Sequence, residues 1–312
     1  MLRRSSQIFF CIAIFSLLIL GLFIFFSMNP PSILKPLTRA QLLLSGANEM
    51  LSTQMNRKAT LKSACLHNNL TKSFTMVHPS IAKQLFVEEN HKFIYCAVPK
   101  VGCSNWKRIL FLLKTDLSIN GEYIEHEAVH EDVFFKKLSD YLPDQQRTML
   151  TTYTKVMFTR NPLQRLVSAY RDKFLHYTGF YYGTKIANII KSKFRGHMNS
   201  SDPVSFKEFV QFITSQKPAL LDVHWRPMYN LCDPCNINYD ILGKFESLKQ
   251  DSDYVLKVVG APSGLKFPGI KKYNESRTDA KITAGYFSQL SLNLIQQLLE
   301  LYKLDFTLFG YT

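Results

Sequence analysis

"YCAVPKVGCSNWKR", residues Tyr95–Arg108, passes from an apolar run to a basic, aromatic one through a loop that holds a proline, a lysine and a glycine. The run Phe93–Val98 reads as a buried strand, and Trp106–Lys114 reads as the helix that follows it. Strand, tight loop and helix in that order make the repeating unit of an α/β domain. Where a buried parallel strand ends, N–H groups of the loop and of the helix start point outward together. They meet the positive end of the helix dipole, and such a corner suits phosphate or sulfate. Gly102 would let the backbone approach a ligand, Ser104 and Asn105 offer side-chain donors, and Lys100 adds a charge. The loop lacks the G-x-x-x-x-G-K-[ST] pattern of a Walker A motif. Taken alone, the unit is equally a plain strand–helix turn with a solvated lysine.

A second unit of the same kind lies downstream in "KVMFTRNPLQRLVSAYRDKF", Lys155–Phe174. Lys155–Thr159 reads as another buried strand, and Arg160 stands at its end. Asn161 is a natural N-cap and Pro162 fits the first helical position of a helix running to Phe174. Helical spacing puts Asn161, Arg165, Ser168 and Asp172 on one face, opposite a packing stripe with Leu166, Val167 and Tyr170. Arg160 and Ser168 are then placed to hold a second anionic group. A salt-bridged amphipathic helix is the bland alternative, but two such units in one chain favour a ligand with two separated anionic groups.

The whole chain agrees with an anionic ligand. Its 312 residues suffice for one large domain, and 38 basic against 24 acidic side chains give a formal charge of 38 − 24 = +14. Nucleic acid, anionic lipid, nucleotide and acidic polysaccharide would all answer that charge. Ile8–Phe26 carries no charged residue and is close to the length of a membrane-crossing helix. Arg3 and Arg4 precede it, so the positive-inside tendency leaves residues 1–7 in the cytosol. A cleaved signal peptide fits less well, because the run is long and has no convincing small-residue cleavage site. The expected layout is a cytoplasmic tail 1–7, a signal-anchor 8–26, a polar stem 27–85 and a catalytic domain 86–312. Three N-x-Ser/Thr triplets, at Asn69, Asn199 and Asn274, lie beyond the anchor, where glycosylation would require them. The basic surface then faces the secretory lumen, and nucleic acid drops out as a partner.

Six cysteines are present, and Cys11 falls within the anchor. Cys65, Cys96, Cys103, Cys232 and Cys235 would lie in an oxidising compartment where disulfides persist. Five is odd, so at least one stays free or pairs between chains. Cys232 and Cys235 have the spacing of half a zinc site, but no second such pair exists, and disulfide bonding of one or both is the plainer reading. Further along, Ser205–Glu208 is a capping box, Asp253–Val259 is a helix stopped by Gly260, and Leu292–Tyr302 is the last long helix.

Both strand–loop–helix units resemble the signatures of Golgi carbohydrate sulfotransferases, in particular the HNK-1 sulfotransferase and N-acetylgalactosamine 4-O-sulfotransferase family. Pro99, Lys100, Val101, Gly102, Cys103, Ser104 and Asn105, with Trp106 and Lys107 after them, look like that family's 5′-phosphosulfate loop. Arg160, Asn161, Pro162, Leu163, Gln164, Arg165, Leu166, Val167 and Ser168, then Ala169-Tyr170, look like its 3′-phosphate motif. The likeness continues through Asp222-Val223-His224-Trp225, through "LCDPCNINYDILGKFESL" (Leu231–Leu248) and through "YKLDFTLFGY" near the end, and so spans nearly all of residues 90–312. It implies 3′-phosphoadenosine 5′-phosphosulfate as sulfate donor, no metal, and a P-loop-like α/β fold with a central parallel sheet flanked by helices. Departures are few. Asn161 stands where the family usually has an acid, Gly102 where many members have alanine, and Ser104 where threonine is frequent.

Sulfuryl transfer is mostly positioning and charge stabilisation. By this resemblance Lys100 stabilises the departing bridge oxygen. A base must also take the acceptor's proton. The family tends to place a histidine between its two motifs, and His130 matches that position. His130 also closes His126-Glu127-Ala128-Val129-His130, an H-E-x-x-H zinc-protease pattern. Acidic flanks and the lack of a third ligand at a suitable spacing count against a protease. His224 and Trp225 are candidates for contact with the acceptor. The expected enzyme is a single-pass type II Golgi protein that sulfates a hydroxyl of N-acetylgalactosamine, at the 4-position, on chondroitin, dermatan or glycan termini. "GAPSGLKFPG" and "INYDILGKFESL" look closer to that branch than to 3-O-sulfation of terminal glucuronic acid, the nearest alternative. An inactive glycan-binding homologue is a remoter one.

Overall fold

The computed structural model describes residues 39–72, 76–115, 124, 129, 132–176, 179–195, 202–269 and 277–311. The expected anchor 8–26, His126, Glu127, His130 and the sequons at Asn199 and Asn274 lie outside them. Among the described residues no helix is long and apolar enough to cross a membrane. Two compact units are distinguished, Met1–Glu49 and Met50–Thr312. Of the first, the described part is the opening of helix α1 (Arg39–His67). Residues 50–85, expected as stem, lie within the second unit.

Among the described residues that unit is an α/β structure around a five-stranded sheet. Its strands are β1 (Leu85–Glu88), β2 (Phe93–Cys96), β3 (Lys136–Lys137), β4 (Thr154–Thr159) and β5 (Ile241–Lys244), in the order β3-β1-β2-β4-β5. β2, β4 and β5 are parallel, with Tyr95 opposite Val156 and Val156 opposite Ile241. β1 pairs antiparallel with both β2 and β3. The sheet is therefore mixed rather than wholly parallel. The four residues between Glu88 and Phe93 suffice for a hairpin, and a parallel pairing of β1 with β2 would have needed a long crossover.

The strands are buried because helices cover them, which is why they read as near-continuous apolar runs. Phe93, Ile94, Tyr95, Val156, Met157 and Phe158 are all completely buried. Helix α2 (Cys103–Thr115) lies on the sheet through Trp106, whose ring packs 5.4 Å from Tyr95, 5.3 Å from Phe158 and 5.7 Å from Phe267 between centroids. Truncating such a ring to alanine costs about 3–5 kcal/mol. Gly243 in β5 faces the same aromatic layer, and a Cβ there would fall 2.3 Å from the Phe158 ring.

After α3 (Pro143–Thr152) and β4 comes α4 (Pro162–Tyr170), which continues as a π-helical turn, Arg171–Leu175. A second π turn, Tyr181–Ile186, leads into α5 (Ala187–Arg195). Helix α6 (Phe206–Thr214) opens with the expected capping box, Ser205 Oγ accepting from the Glu208 N–H and Glu208 accepting from the Ser205 N–H at 2.8 Å. Then follow α7 (Met228–Cys232), α8 (Leu248–Val258), α9 (Ala280–Phe287), α10 (Leu292–Leu301) and α11 (Lys303–Phe309). Tyr170, Phe174, Phe206, Phe209, Trp225, Leu298 and Tyr302 form a second apolar cluster among the helices.

From Met50 onward helix α1 belongs to this architecture through side-chain bonds to β5. The Gln54 side-chain amide donates to the Leu242 carbonyl at 3.2 Å and accepts from the Leu242 N–H at 2.9 Å. It satisfies edge strand β5 as a neighbouring strand would. Arg57 adds a bond to the same carbonyl at 2.7 Å and an ion pair with buried Asp251 at 2.8 Å. Cys65 on α1 is disulfide-bonded to Cys235, and Cys96 at the end of β2 to Cys232. Both members of the Cys232/Cys235 pair are thus in disulfides, and Cys103 is a free thiol.

Candidate active site

Adjacent parallel strands β2 and β4 both end on the same side of the sheet, so the two loops singled out in the sequence emerge next to each other. In the first, Lys100 takes φ +70° and Gly102 φ +93°, and the Gly102 carbonyl accepts from the N–H groups of Asn105 and Trp106 at 3.1 and 3.2 Å to start α2. A φ of +93° strains any L-residue. The missing Cβ of Gly102 faces the protein itself: it would lie 2.8 Å from Leu248 Cδ2. The glycine therefore serves the fit of the loop against α8, where the sequence had suggested an approach to a ligand. Asn105 is engaged with its neighbours, donating to the Pro268 carbonyl at 3.2 Å and accepting from Arg108 at 2.8 Å.

In the second loop the Asn161 side chain accepts from the Leu163 and Gln164 N–H groups at 3.1 and 3.2 Å, so it caps α4 without the usual acid. Pro162 follows at the first helical position. Pro99, Val101, Pro162, Leu166 and Val167 are buried and set the two loops against the core, while Leu163, Gln164, Ser104 and Ser168 stay partly exposed. Ser168 sits two turns into α4 on the helix that begins beside Arg160.

The two loops are joined by arginines. Arg160 donates to the Lys100 carbonyl at 3.1 Å and to the Thr278 carbonyl, and its guanidinium lies 4.0 Å from the Phe245 ring centre. Its Nε is buried and has no hydrogen-bond partner among the described residues. Burial pushes the Arg160 guanidinium down to about 10, with Glu246 pulling the other way, so it remains a cation at neutral pH. Arg165 behaves differently from the face drawn by helical spacing. It is 1% exposed and turns inward, donating to the carbonyls of Pro99 at 2.9 Å, Arg226 at 2.8 Å and Val223 at 2.9 Å. The expected face of α4 therefore splits, with Arg165 committed to holding three chain segments together.

Lys100 Nζ lies 3.1 Å from Asp172 Oδ2, and Lys173 Nζ lies 3.2 Å from the same oxygen. Burial pushes the Lys100 ammonium below its ordinary value, and Asp172 partly restores it. Burial alone would raise Asp172, but Lys100 and Lys173 outweigh it and hold the carboxyl below its usual range. Lys173 in turn stands 4.9 Å from the Tyr182 ring centre. The Tyr182 hydroxyl donates to Asp222 Oδ2 at 2.9 Å and lies 3.0 Å from His224 Nδ1. Asp222 Oδ1 accepts from His224 Nδ1 at 2.7 Å and from the His224 N–H at 2.9 Å. A continuous run of polar contacts thus leads from Lys100 to His224.

Trp225, the neighbour of His224, is 2% exposed and packs its ring against Phe209 at 5.3 Å in the second apolar cluster. Asn69 lies in a turn after α1 with φ +52°. Sequence reasoning missed Lys173, Tyr182 and Thr278. The π turns that place Lys173 and Tyr182 break the helical period, so no spacing argument reaches them. Asp222, two residues before His224, did have a signal in the quoted Asp222–Trp225 stretch.

The paired loops have a counterpart in known proteins: residues 83–312 match the model of a family described as "Sulfotransferase family". The chain belongs to that family. It is 37% identical over 297 residues to carbohydrate sulfotransferase 9 of Homo sapiens, covering 92% of this chain and 66% of that protein. It is 38% identical over 270 residues to carbohydrate sulfotransferase 8 of Mus musculus, covering 83% of this chain and 64% of that one. Against carbohydrate sulfotransferase 11 of Rattus norvegicus the figures are 37% over 279 residues, 85% and 78%. The chain spans about two thirds of the length of the first two relatives. No solved structure matches it. In family terms, the loops after β2 and β4 are the two segments in which donor-binding motifs were expected.

Proposed function

We propose that this protein is a carbohydrate O-sulfotransferase that moves the sulfuryl group of 3′-phosphoadenosine 5′-phosphosulfate to a glycan hydroxyl. The observation that carries the reading is the junction of the two loops: Arg160 bonds the backbone of Lys100 while its buried Nε keeps a donor without a partner among the described residues. A buried guanidinium N–H left in that state costs about 1–3 kcal/mol or more, which an anionic oxygen would return. One cationic corner at Lys100 and another at Arg160 and Ser168 suit a nucleotide with a phosphosulfate at one end and a phosphate at the other. The donor supplies the activated sulfuryl group. Lys100 neutralises the oxygen that leaves with the 5′-phosphate, and Arg160 with Ser168 holds the 3′-phosphate. Val101, Cys103, Ser104 and Asn105 shape the start of α2, where the positive end of the helix dipole favours the phosphosulfate.

The acceptor we propose is an acidic glycan, chondroitin, dermatan or a glycan terminus, sulfated at the 4-position of N-acetylgalactosamine. The resemblance of Ile237–Leu248 and Gly260–Gly269 to that branch supports this, and the +14 charge suits a polyanion. A Golgi location, type II anchoring through residues 8–26 and glycosylation at Asn69, Asn199 and Asn274 complete the proposal.

The test incubates the full chain with sulfur-labelled donor and a panel of acceptors. The panel holds desulfated chondroitin, dermatan, a terminal N-acetylgalactosamine disaccharide and glucuronyl-lactosamine. Label on an N-acetylgalactosamine acceptor is expected, and its loss in Lys100→Ala ties transfer to the first loop. Label on glucuronyl-lactosamine alone would move the acceptor to the 3-O class. A folded protein that binds no adenosine 3′,5′-bisphosphate would sink the donor assignment.

A further inference from the structure

We infer that His224 is the base that takes the proton from the acceptor hydroxyl, with Asp222 and Tyr182 as its positioning residues; this rests on the sulfotransferase reading above. The geometry comes first. Asp222 accepts from both the backbone N–H and Nδ1 of His224, a two-point hold that fixes the ring. Because an ionised carboxylate only accepts, Nδ1 must carry the hydrogen, and the lone pair of the neutral ring then sits on Nε2. Tyr182 closes the arrangement by donating to the other carboxylate oxygen and packing edge-on to the imidazole, 5.5 Å between centroids. Nε2 has no hydrogen-bond partner among the described residues, and about a fifth of the side chain, 22%, is open to solvent. A base, its orienting carboxylate and an open second nitrogen are the parts that proton abstraction needs.

Location decides the substrate. The groups that face His224 are Asp222, Tyr182, Lys173 and, through the Asp172 contact, Lys100. The base therefore stands at the far end of the contact run that starts from the lysine at the phosphosulfate loop. Arg165 bonds Pro99 on one side and Val223 and Arg226 on the other, and so braces the lysine loop and the base segment against each other. The step balances as follows. The acceptor oxygen forms a bond to sulfur as its proton passes to Nε2 of His224. The bond from sulfur to the bridging oxygen breaks, and its electron pair leaves on the phosphate oxygen beside Lys100. Burial, with smaller contributions from Lys173 and Lys100, pushes the imidazole below its ordinary value against the pull of Asp222, so the ring is neutral and ready to accept at pH 7.

The experiment measures transfer as a function of pH for the full chain and for His224→Asn, His224→Ala, Asp222→Asn and His130→Asn. Melting temperature and binding of adenosine 3′,5′-bisphosphate are recorded for each. His224→Asn should lose about 10²–10⁴-fold in kcat, the usual span of general-base catalysis, while nucleotide binding and melting stay near wild type. The acid limb of the kcat/KM profile, which lies below the ordinary histidine value in the wild type, should vanish. Asp222→Asn should move that limb to lower pH and reduce kcat, because the carboxylate raises the pKa of His224. Added imidazole should restore part of the rate to His224→Ala and none to Lys100→Ala. A His224→Asn protein that keeps its rate and acid limb overturns the assignment, and loss of the limb in His130→Asn instead would move the base there. If the wild type binds the nucleotide but transfers to no acceptor, the sulfotransferase reading falls and this inference falls with it.

Discussion

Replacing Arg165 with lysine tests whether this side chain is a brace or a ligand for the donor. Arg165 spends its guanidinium on three buried carbonyls, those of Pro99, Val223 and Arg226. A lysine ammonium in the same burial can reach one of them and lacks the planar fork that serves all three. Two carbonyls then lose their donor, at about 1–3 kcal/mol each, so a loss of roughly 4 kcal/mol is a central expectation. For a domain of this size about 2–4 °C of melting temperature accompanies each kcal/mol, which gives a drop of roughly 8–16 °C. Arg165→Lys should therefore melt early in differential scanning fluorimetry. Calorimetric titration with adenosine 3′,5′-bisphosphate below the melting point should show affinity within about threefold of wild type, a difference under 1 kcal/mol. The opposite pattern, unchanged melting with affinity lost by about tenfold or more, is what a direct phosphate ligand would give. That result would refute the brace.

Three other perturbations have defined outcomes. Arg160→Gln keeps bulk but loses the charge, and nucleotide affinity should fall by about 10–150-fold, the value of one charge-assisted hydrogen bond, as calorimetry would show. Glu208 is held down to about 2 by its bonds from Arg195 and from Ser205, so its contribution to stability is complete above the unfolded value of 4.5 and is lost as pH falls through about 2. Glu208→Gln should thus destabilise at pH 7 by about 1–2 kcal/mol and flatten the acid side of the melting-temperature profile. Removing the Cys96–Cys232 bridge by Cys96→Ala with Cys232→Ala opens a loop with a sequence separation of 136. Because the Cys65–Cys235 bridge is kept, the effective loop is only about 30 residues, and the chain-entropy model puts the loss at about 3–4 kcal/mol, which denaturant unfolding would detect as a lower midpoint.

The parts of this structure that were legible in the sequence are those that local physics decides. The apolar runs Phe93–Val98 and Lys155–Thr159 were readable as the buried strands that span Phe93–Cys96 and Thr154–Thr159, and Asn161-Pro162 and Ser205–Glu208 as helix starts from capping chemistry. Non-local choices were not readable. Nothing in Leu85–Glu88 says that it turns back antiparallel on β2. Arg165 falls on the polar face by helical spacing, yet three distant carbonyls draw it inward. Gly102 was rightly marked as special, but only the neighbouring Leu248 shows why. For the site, both loops were legible because each is a contiguous segment. The cluster of Lys173, Tyr182 and His224 was not, because two π turns and a return of the chain bring it together.

The two disulfides carry a consequence for how this protein matures. Cys232 and Cys235 sit only three positions apart, and each must find a partner that left the ribosome far earlier, Cys96 and Cys65 respectively. Four cysteines admit three pairings, and the swapped one exchanges the partners of Cys232, at the end of α7, and Cys235, just beyond the left-handed residue Asp233 that ends that helix. Cys96 lies four residues before Lys100, and Cys232 eight residues after His224. An error in pairing is therefore an error in the spacing between the lysine and the histidine. A swapped molecule would carry every residue of the site with the chain after His224 tied to the wrong partner, so native pairing is a condition of an active product.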